Sequence, residues 1–254
     1  MQQSNAYIIG FTAALTIVVG GLLSLASQGL APAQKKSVEL DTKSQILASV
    51  MNREELAKMT KDQILSMYAD RIESLVVDID GNEVEKNEKG NDMIAEEVNI
   101  LKNYKKDPKD RMYPVFKFKN VNNPDKVDAY ILPLYGAGLW DKIWGYVALK
   151  EDLNTIAGTA FDHKAETPGL GARIGDAEIQ NRYVGKKILD ESGSLVSVSM
   201  VKGEGNPGLT DHQVDGMSGA TITGRGLNDM LKNYLSSYQA YLDKLNECNV
   251  ATLN

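Results

Sequence analysis

No charged side chain occurs in residues 1–30, and from Tyr7 to Ala26 the chain reads YIIGFTAALTIVVGGLLSLA. A helix through such a run has no polar face to turn toward water, so lipid or protein must cover it. At about 1.5 Å per residue a run of this length reaches about 30 Å, the thickness of a bilayer's hydrocarbon core. A cleaved signal peptide would carry a basic stretch ahead of a shorter apolar run. Neither is present, although Ala31-Pro32-Ala33 mimics a cleavage site. A buried core helix is usually shorter and keeps some polar face. The reading is therefore a short tail over residues 1–6 and a single transmembrane helix over 7–27. Gly20 and Gly21, with Ser24, would let a second helix approach closely. Lys35 and Lys36 follow the span while the tail has no Lys or Arg. The positive-inside rule alone would put the rest of the chain in the cytoplasm.

The 254 residues carry a net charge of −6, with the basic residues scattered. Nucleic acid is not an expected partner, because its phosphates demand a concentrated positive face. The single cysteine, Cys248, excludes an internal disulfide and a thiolate metal cluster. Residues 28–112 read as a membrane-proximal region of helices and a hairpin. KKSVELDTKSQILASVM has helical spacing, Thr60 offers an N-cap, and Asp80-Gly81 would turn SLVVDIDGNEV into two strands. From residue 113 to 254 the pattern becomes strand-rich. PVFKF, VDAYILPLYG, IWGYVALK, TIAGTAFD and SLVSVSMVKG have strand composition. A closing helix carries its apolar residues, Leu227, Met230, Leu231, Tyr234, Leu235, Tyr238, Tyr241, Leu242 and Leu245, on one face. The expected class is α+β, with an N-terminal transmembrane helix before a soluble domain of a twisted, mainly antiparallel sheet flanked by helices.

Three glycine-flanked stretches stand out from this scaffold. In YGAGLWDKIWG (135–145), Leu139, Trp140 and Trp144 lie between glycines, where aromatics can stack on a flat ring. Trp144, at a strand start, is equally a core candidate. Gly136, Gly138 and Gly145 mark bulges or close approach of a ligand to the backbone. In HKAETPGLGA (163–172), His163 and Glu166 have metal-ligand spacing but no third ligand, so no metal is expected. Thr167 and Leu170 can line a pocket there. DGMSGATIT (215–223) has no basic residue to grip a phosphate, no His or Cys to run a reaction, and no P-loop pattern. It leads into a helix whose start favours phosphate. Its hydroxyls serve equally as an N-cap. Small residues around an exposed Thr hydroxyl also suit covalent modification.

These stretches in this order, with the anchor and the LDTKSQIL helix, resemble the FMN-binding domain family. Within it they resemble the NqrC group, which belongs to sodium-translocating NADH:quinone oxidoreductases. The RnfG group of the Rnf electron-transport complex shares the domain and anchor, but the longer membrane-proximal insert and Gly138-Leu139-Trp140 favour NqrC. The resemblance implies that a dedicated transferase joins FMN through a phosphoester to the last Thr of D-x-x-[ST]-G-A-T. Here that motif is Asp215, Ser218, Gly219, Ala220 and Thr221, with Thr221 the acceptor and Thr223 the near-miss. It further implies that the flavin ring lies between Trp140 and Leu170, with Glu166 and Thr167 toward its polar edge. Leu139, Gly169 and Gly171 complete the two loops. The chain would supply no general acid or base. It would relay single electrons in a respiratory complex that oxidises NADH, reduces quinone and exports Na+. Its partners would be the other subunits, the FMN transferase and membrane lipid, with the soluble domain on the periplasmic side of a bacterial inner membrane, against the reading of Lys35 and Lys36. An Rnf-type subunit and a non-redox membrane-anchored scaffold remain the alternatives.

Overall fold

The computed structural model describes residues 4–87 and 89–252. The chain divides into two units, Met1–Lys43 and Ser44–Asn254. Helix α1 (Asn5–Ala48) is, among the described residues, the one helix long and apolar enough to cross a membrane, with a mean hydropathy of 2.2 over its apolar stretch. Ile9, Ile17, Leu22, Leu23 and Leu25 lie bare on its surface. Exposing so continuous an apolar cylinder to water is unfavourable, whereas a bilayer takes it up. Its threonines fit the same environment. Thr12 Oγ1 donates to the Ile8 carbonyl and Thr16 Oγ1 to the Thr12 carbonyl, both at 2.8 Å, so neither hydroxyl needs water. The helical reading of 35–51 holds as far as Ala48, within this same helix. The one helix runs through Pro32, at the loss of a single backbone bond.

The second unit opens with α2 (Arg53–Leu56) and α3 (Lys61–Arg71). Thr60 caps α3 reciprocally: its hydroxyl accepts the Gln63 N–H at 3.3 Å and the Gln63 side chain accepts the Thr60 N–H at 2.8 Å. Strand β1 (Ile72–Val77) follows directly. Gly81, at φ 73°, turns the chain, but the returning arm is limited to a bridge between Val77 and Glu83. After the short helix α4 (Ile100–Tyr104) come β2 (Tyr113–Lys119), β3 (Val127–Ala137), β4 (Lys142–Lys150) and β5 (Ile156–His163). The five strands pair in the order β1-β2-β3-β4-β5, every pair antiparallel. Tyr130, Leu132 and Leu134 of β3 alternate into one core, as period-two side chains must.

That core is closed by α6 (Thr221–Thr252), which packs on β3 and β4. Leu227, Leu231, Leu235, Tyr238 and Leu242 recur every third or fourth residue and are all buried. Two glycines permit the close approach. A Cβ on Gly136 would lie 2.8 Å from Met230 Cβ, and one on Gly226 only 2.2 Å from the Ala137 carbonyl oxygen. The glycine at 136, read from sequence as room for a ligand or a bulge, makes room for this helix instead.

The segment 194–203 departs from the alternating strand its pattern implies. It contributes only β6 (Ser199–Met200), paired in parallel with β7 (Gln213–Val214), after the five-residue helix α5 (Ala177–Asn181). Ser197 sits at φ 64° and breaks the extended path. Asn228 of α6 then takes both backbone groups of Met200, accepting its N–H at 2.7 Å and donating to its carbonyl at 3.0 Å. Side-chain amide bonds there serve the Met200 backbone groups that the short β6–β7 pairing does not use.

Candidate functional site

Three segments meet at one end of the sheet: the β3–β4 turn, the loop after β5, and the start of α6. Glu166 joins them. Its side chain is 4% exposed. Oε1 accepts the Trp140 N–H at 3.0 Å and Oε2 accepts the Thr223 hydroxyl at 2.5 Å. The Glu166 N–H donates to His163 Nδ1 at 3.3 Å, so the H-x-x-E spacing makes a turn. A carboxylate this deep must be hydrogen-bonded to be tolerated. The flanking glycines make its chamber: a Cβ on Gly138 would lie 2.4 Å from Oε1, and one on Gly171 2.5 Å from both Oε2 and Thr223 Oγ1. Thr167 completes the link by accepting the Trp140 indole N–H at 3.1 Å.

The turn that leads into α6 has its own geometry. Gly219, at φ 75°, and an Ala220 N–H to Met217 carbonyl bond of 3.2 Å bring the chain round, with the Met217 and Ala220 side chains buried. Thr221 is the first residue of α6. The first helical backbone bond runs from the Gly224 N–H to the Ala220 carbonyl, so the N–H groups of Thr221, Ile222 and Thr223 have no intrahelical partner. The two threonines differ sharply. Thr223 is 1% exposed and its hydroxyl is committed to Glu166. Thr221 is half-buried, and among the described residues its hydroxyl has no hydrogen-bond partner. Beside it lies an exposed apolar rim of Leu139, Trp140, Leu170 and Ile222, with Trp140 68% exposed. Leu170 abuts the turn, since a Cβ on Gly219 would lie 2.9 Å from Leu170 Cδ2. Trp144, by contrast, packs against the core.

The structure thus brings together Leu139, Trp140, Glu166, Thr167, Leu170, Gly171, Gly219, Ala220, Thr221 and Thr223. Gly169, at φ 74°, turns the loop, and the Ser218 side chain is exposed. The Asp215 carboxylate binds a neighbouring loop. It accepts the Gly205 N–H at 2.7 Å, the Asn206 N–H at 3.0 Å and the Asn206 side-chain amide at 2.8 Å. Sequence reasoning passed over Ile222, and also Arg173, Arg182 and Glu204, which lie in charged or glycine-rich stretches indistinguishable from solvated surface.

Two carboxyls here are held far below their ordinary range. Glu204, ordinarily at 4.5, falls to about 2, first through its bond from Arg173 and then through Arg182. Asp215, ordinarily at 3.8, also falls to about 2, led by the Asn206 amide and the Gly205 N–H. A carboxyl whose folded pKa is depressed stabilises the fold above its ordinary pKa and ceases to do so as pH falls through the folded value. Urea midpoints measured against pH are therefore expected to decline from pH 4.5 down to about 2. Glu204→Gln should flatten part of that slope.

Residues 138–236 match the FMN-binding domain family, a range that takes in all three segments of the site. The chain is 32% identical over 250 residues to the C subunit of the Na(+)-translocating NADH-quinone reductase of Neisseria meningitidis, with 91% of each chain covered. It is 31% identical over 233 residues to the corresponding protein of Vibrio campbellii, 86% of each chain covered. With that of Pseudomonas aeruginosa it shares 40% identity over 129 residues, 49% of each chain. Among solved structures, the C subunit from Parabacteroides distasonis superimposes with a TM-score of 0.66 at 35% identity, over 84% of this chain and 96% of that one. NqrC from Shewanella oneidensis does so with a TM-score of 0.67 at 27% identity, over 82% and 98%. Fold and site together define a protein with an FMN-binding domain behind an apolar N-terminal helix. More narrowly, the chain belongs to the NqrC family, the C subunits of the Na(+)-translocating NADH-quinone reductase.

Proposed function

We propose that this chain carries FMN, joined by a phosphoester to Thr221, as an electron-relaying subunit of a complex that oxidises NADH, reduces quinone and exports Na+. The observation that carries the attachment is the contrast between the two threonines: among the described residues the Thr221 hydroxyl, at the helix start, has no hydrogen-bond partner, and the Thr223 hydroxyl is locked onto Glu166. The residues present fit the group. Thr221 opens α6, and a helix start favours the negative charge that a phosphodiester on its hydroxyl would bring, by about 0.3–1 kcal/mol at an exposed end. Trp140, Leu170, Leu139 and Ile222 offer apolar cover for a flat ring. Glu166 fixes the Trp140 backbone, and Thr167 orients its indole.

When bound, FMN supplies one-electron transfer. The side chains bind, orient and exclude water, and no residue of the site is assigned a proton to move. A covalent tether would reduce the need for non-covalent affinity at the phosphate. Residues 7–27 take the bilayer-spanning part, 28–112 link it to the domain, and 113–254 carry the cofactor. The other subunits, lipid and a maturing FMN transferase are the partners, and the domain faces the periplasm. Protease added to intact spheroplasts is expected to cleave the domain; complete protection would put it inside.

The decisive test is mass. The peptide containing Thr221, taken from native membranes, is expected to weigh its amino acids plus FMN less water; a bare peptide ends the reading. Trp140 is a separate check. Because its indole is largely exposed, Trp140→Ala should leave the melting temperature nearly unchanged and the ester intact, while the bound flavin's absorption bands shift. An unchanged spectrum would take Trp140 out of the site.

A further inference from the structure

Outside the apolar rim, a charged network ties two walls of the site to each other. Glu204 lies in a loop whose Gly203, Gly205 and Gly208 all adopt positive φ, at 82°, 80° and 71°. Arg173 meets its carboxylate as a fork, Nη1 to Oε2 at 3.1 Å and Nη2 to Oε1 at 2.8 Å. Arg182 Nη2 reaches the same Oε1 at 2.8 Å. Arg173 belongs to the Gly171–Gly175 turn that continues the Leu170 wall. Arg182 Nη1 donates to the carbonyls of Asp215, at 3.2 Å, and Gly216, at 2.5 Å, where the attachment turn begins. The Ser218 N–H adds a weaker pull on Glu204. Asp215 closes the circuit through Gly205 and Asn206. The turn is seated hard against the loop, since a Cβ on Gly216 would lie 2.0 Å from the Val201 carbonyl oxygen and 2.2 Å from that of Gly203.

Ion pairs this near the surface add little to stability. Forked, charge-assisted bonds add geometric definition instead. We propose that Arg173, Glu204 and Arg182 form a brace that presents the Thr221 hydroxyl for flavin attachment, with Glu204 and Arg182 as positioning residues. The proposal rests on Thr221 being the acceptor. Esterification in water needs an activated flavin phosphate, by class a phosphoanhydride. Thr221 Oγ bonds to the flavin-side phosphorus, the anhydride P–O bond breaks, the nucleotide leaves with the electron pair, and the hydroxyl proton passes to solvent. Displacing a reacting oxygen by an ångström can cost on the order of a hundredfold in rate.

The test uses the full chain in detergent with its flavin transferase and flavin adenine dinucleotide as the donor. Glu204→Gln and Arg182→Lys are each expected to lower kcat of attachment by roughly 10- to 100-fold. KM for the donor should be unchanged and both variants should remain folded at the assay temperature, while Glu204→Asp restores part of the rate. Attachment to both variants at the unaltered kcat overturns the brace. So does the unfolding of both, which would make the network a stability element. If the unaltered chain takes no flavin at residue 221, the acceptor assignment itself has failed, and that outcome is separable because it precedes any variant.

Discussion

Thr221→Ala is expected to abolish covalent flavin, seen as complete loss of in-gel fluorescence after denaturation, while the apoprotein folds as before. The Thr221 hydroxyl has no partner to lose among the described residues, and alanine is a good helix residue, so the stability change should stay within about 0.5 kcal/mol. Thr223→Ala makes the opposite pattern. It leaves Glu166 with one acceptor oxygen unmet inside the fold, at a cost of about 1–3 kcal/mol, yet it should retain the label. Fluorescence that survives the first change and disappears with the second would move the ester two residues along the helix.

The second large effect is at Glu166. Glu166→Ala removes the acceptor of the Trp140 N–H and the Thr223 hydroxyl and empties the chamber that Gly138 and Gly171 shape around the carboxylate. Two donors lose their partner and a void opens, so a loss of about 3 kcal/mol in urea unfolding is expected. The β3–β4 turn should loosen with it, read as faster hydrogen exchange at the Trp140 amide. Glu166→Gln keeps the shape and an acceptor for Trp140, and Thr223 can adapt its hydroxyl, so most of the stability should return. An alanine variant as stable as the unaltered chain would show that Glu166 does not latch the three segments.

How far the residues alone reveal this arrangement depends on the range of the interaction. Strands β2 to β5 are legible because their β-branched and aromatic composition is local, and α6 because its apolar stripe is periodic. The α3 cap is legible because Thr60 and Gln63 are three positions apart. The segment around Met200 is misread because its partner, Asn228, is 28 residues on. DGMSGATIT itself leaves both threonines open as acceptors from pattern. What separates them in the fold is a carboxylate 57 residues earlier in the chain. The glycines of the GLW and GLG motifs advertise crowding but not what crowds them, and Arg173, Arg182 and Glu204 look like any solvated charges until the fold closes.

The order of the chain has a consequence for maturation. The five strands form a meander of sequential neighbours, so each hairpin can assemble as it is made. The helix bearing Thr221 follows all five strands in the chain, and its buried stripe seats it only when the sheet is complete. Until then the acceptor has neither a fixed turn beneath it nor a rim beside it. A transferase that recognises this corner would act as an inspector of folding, marking only those chains in which α6 has docked.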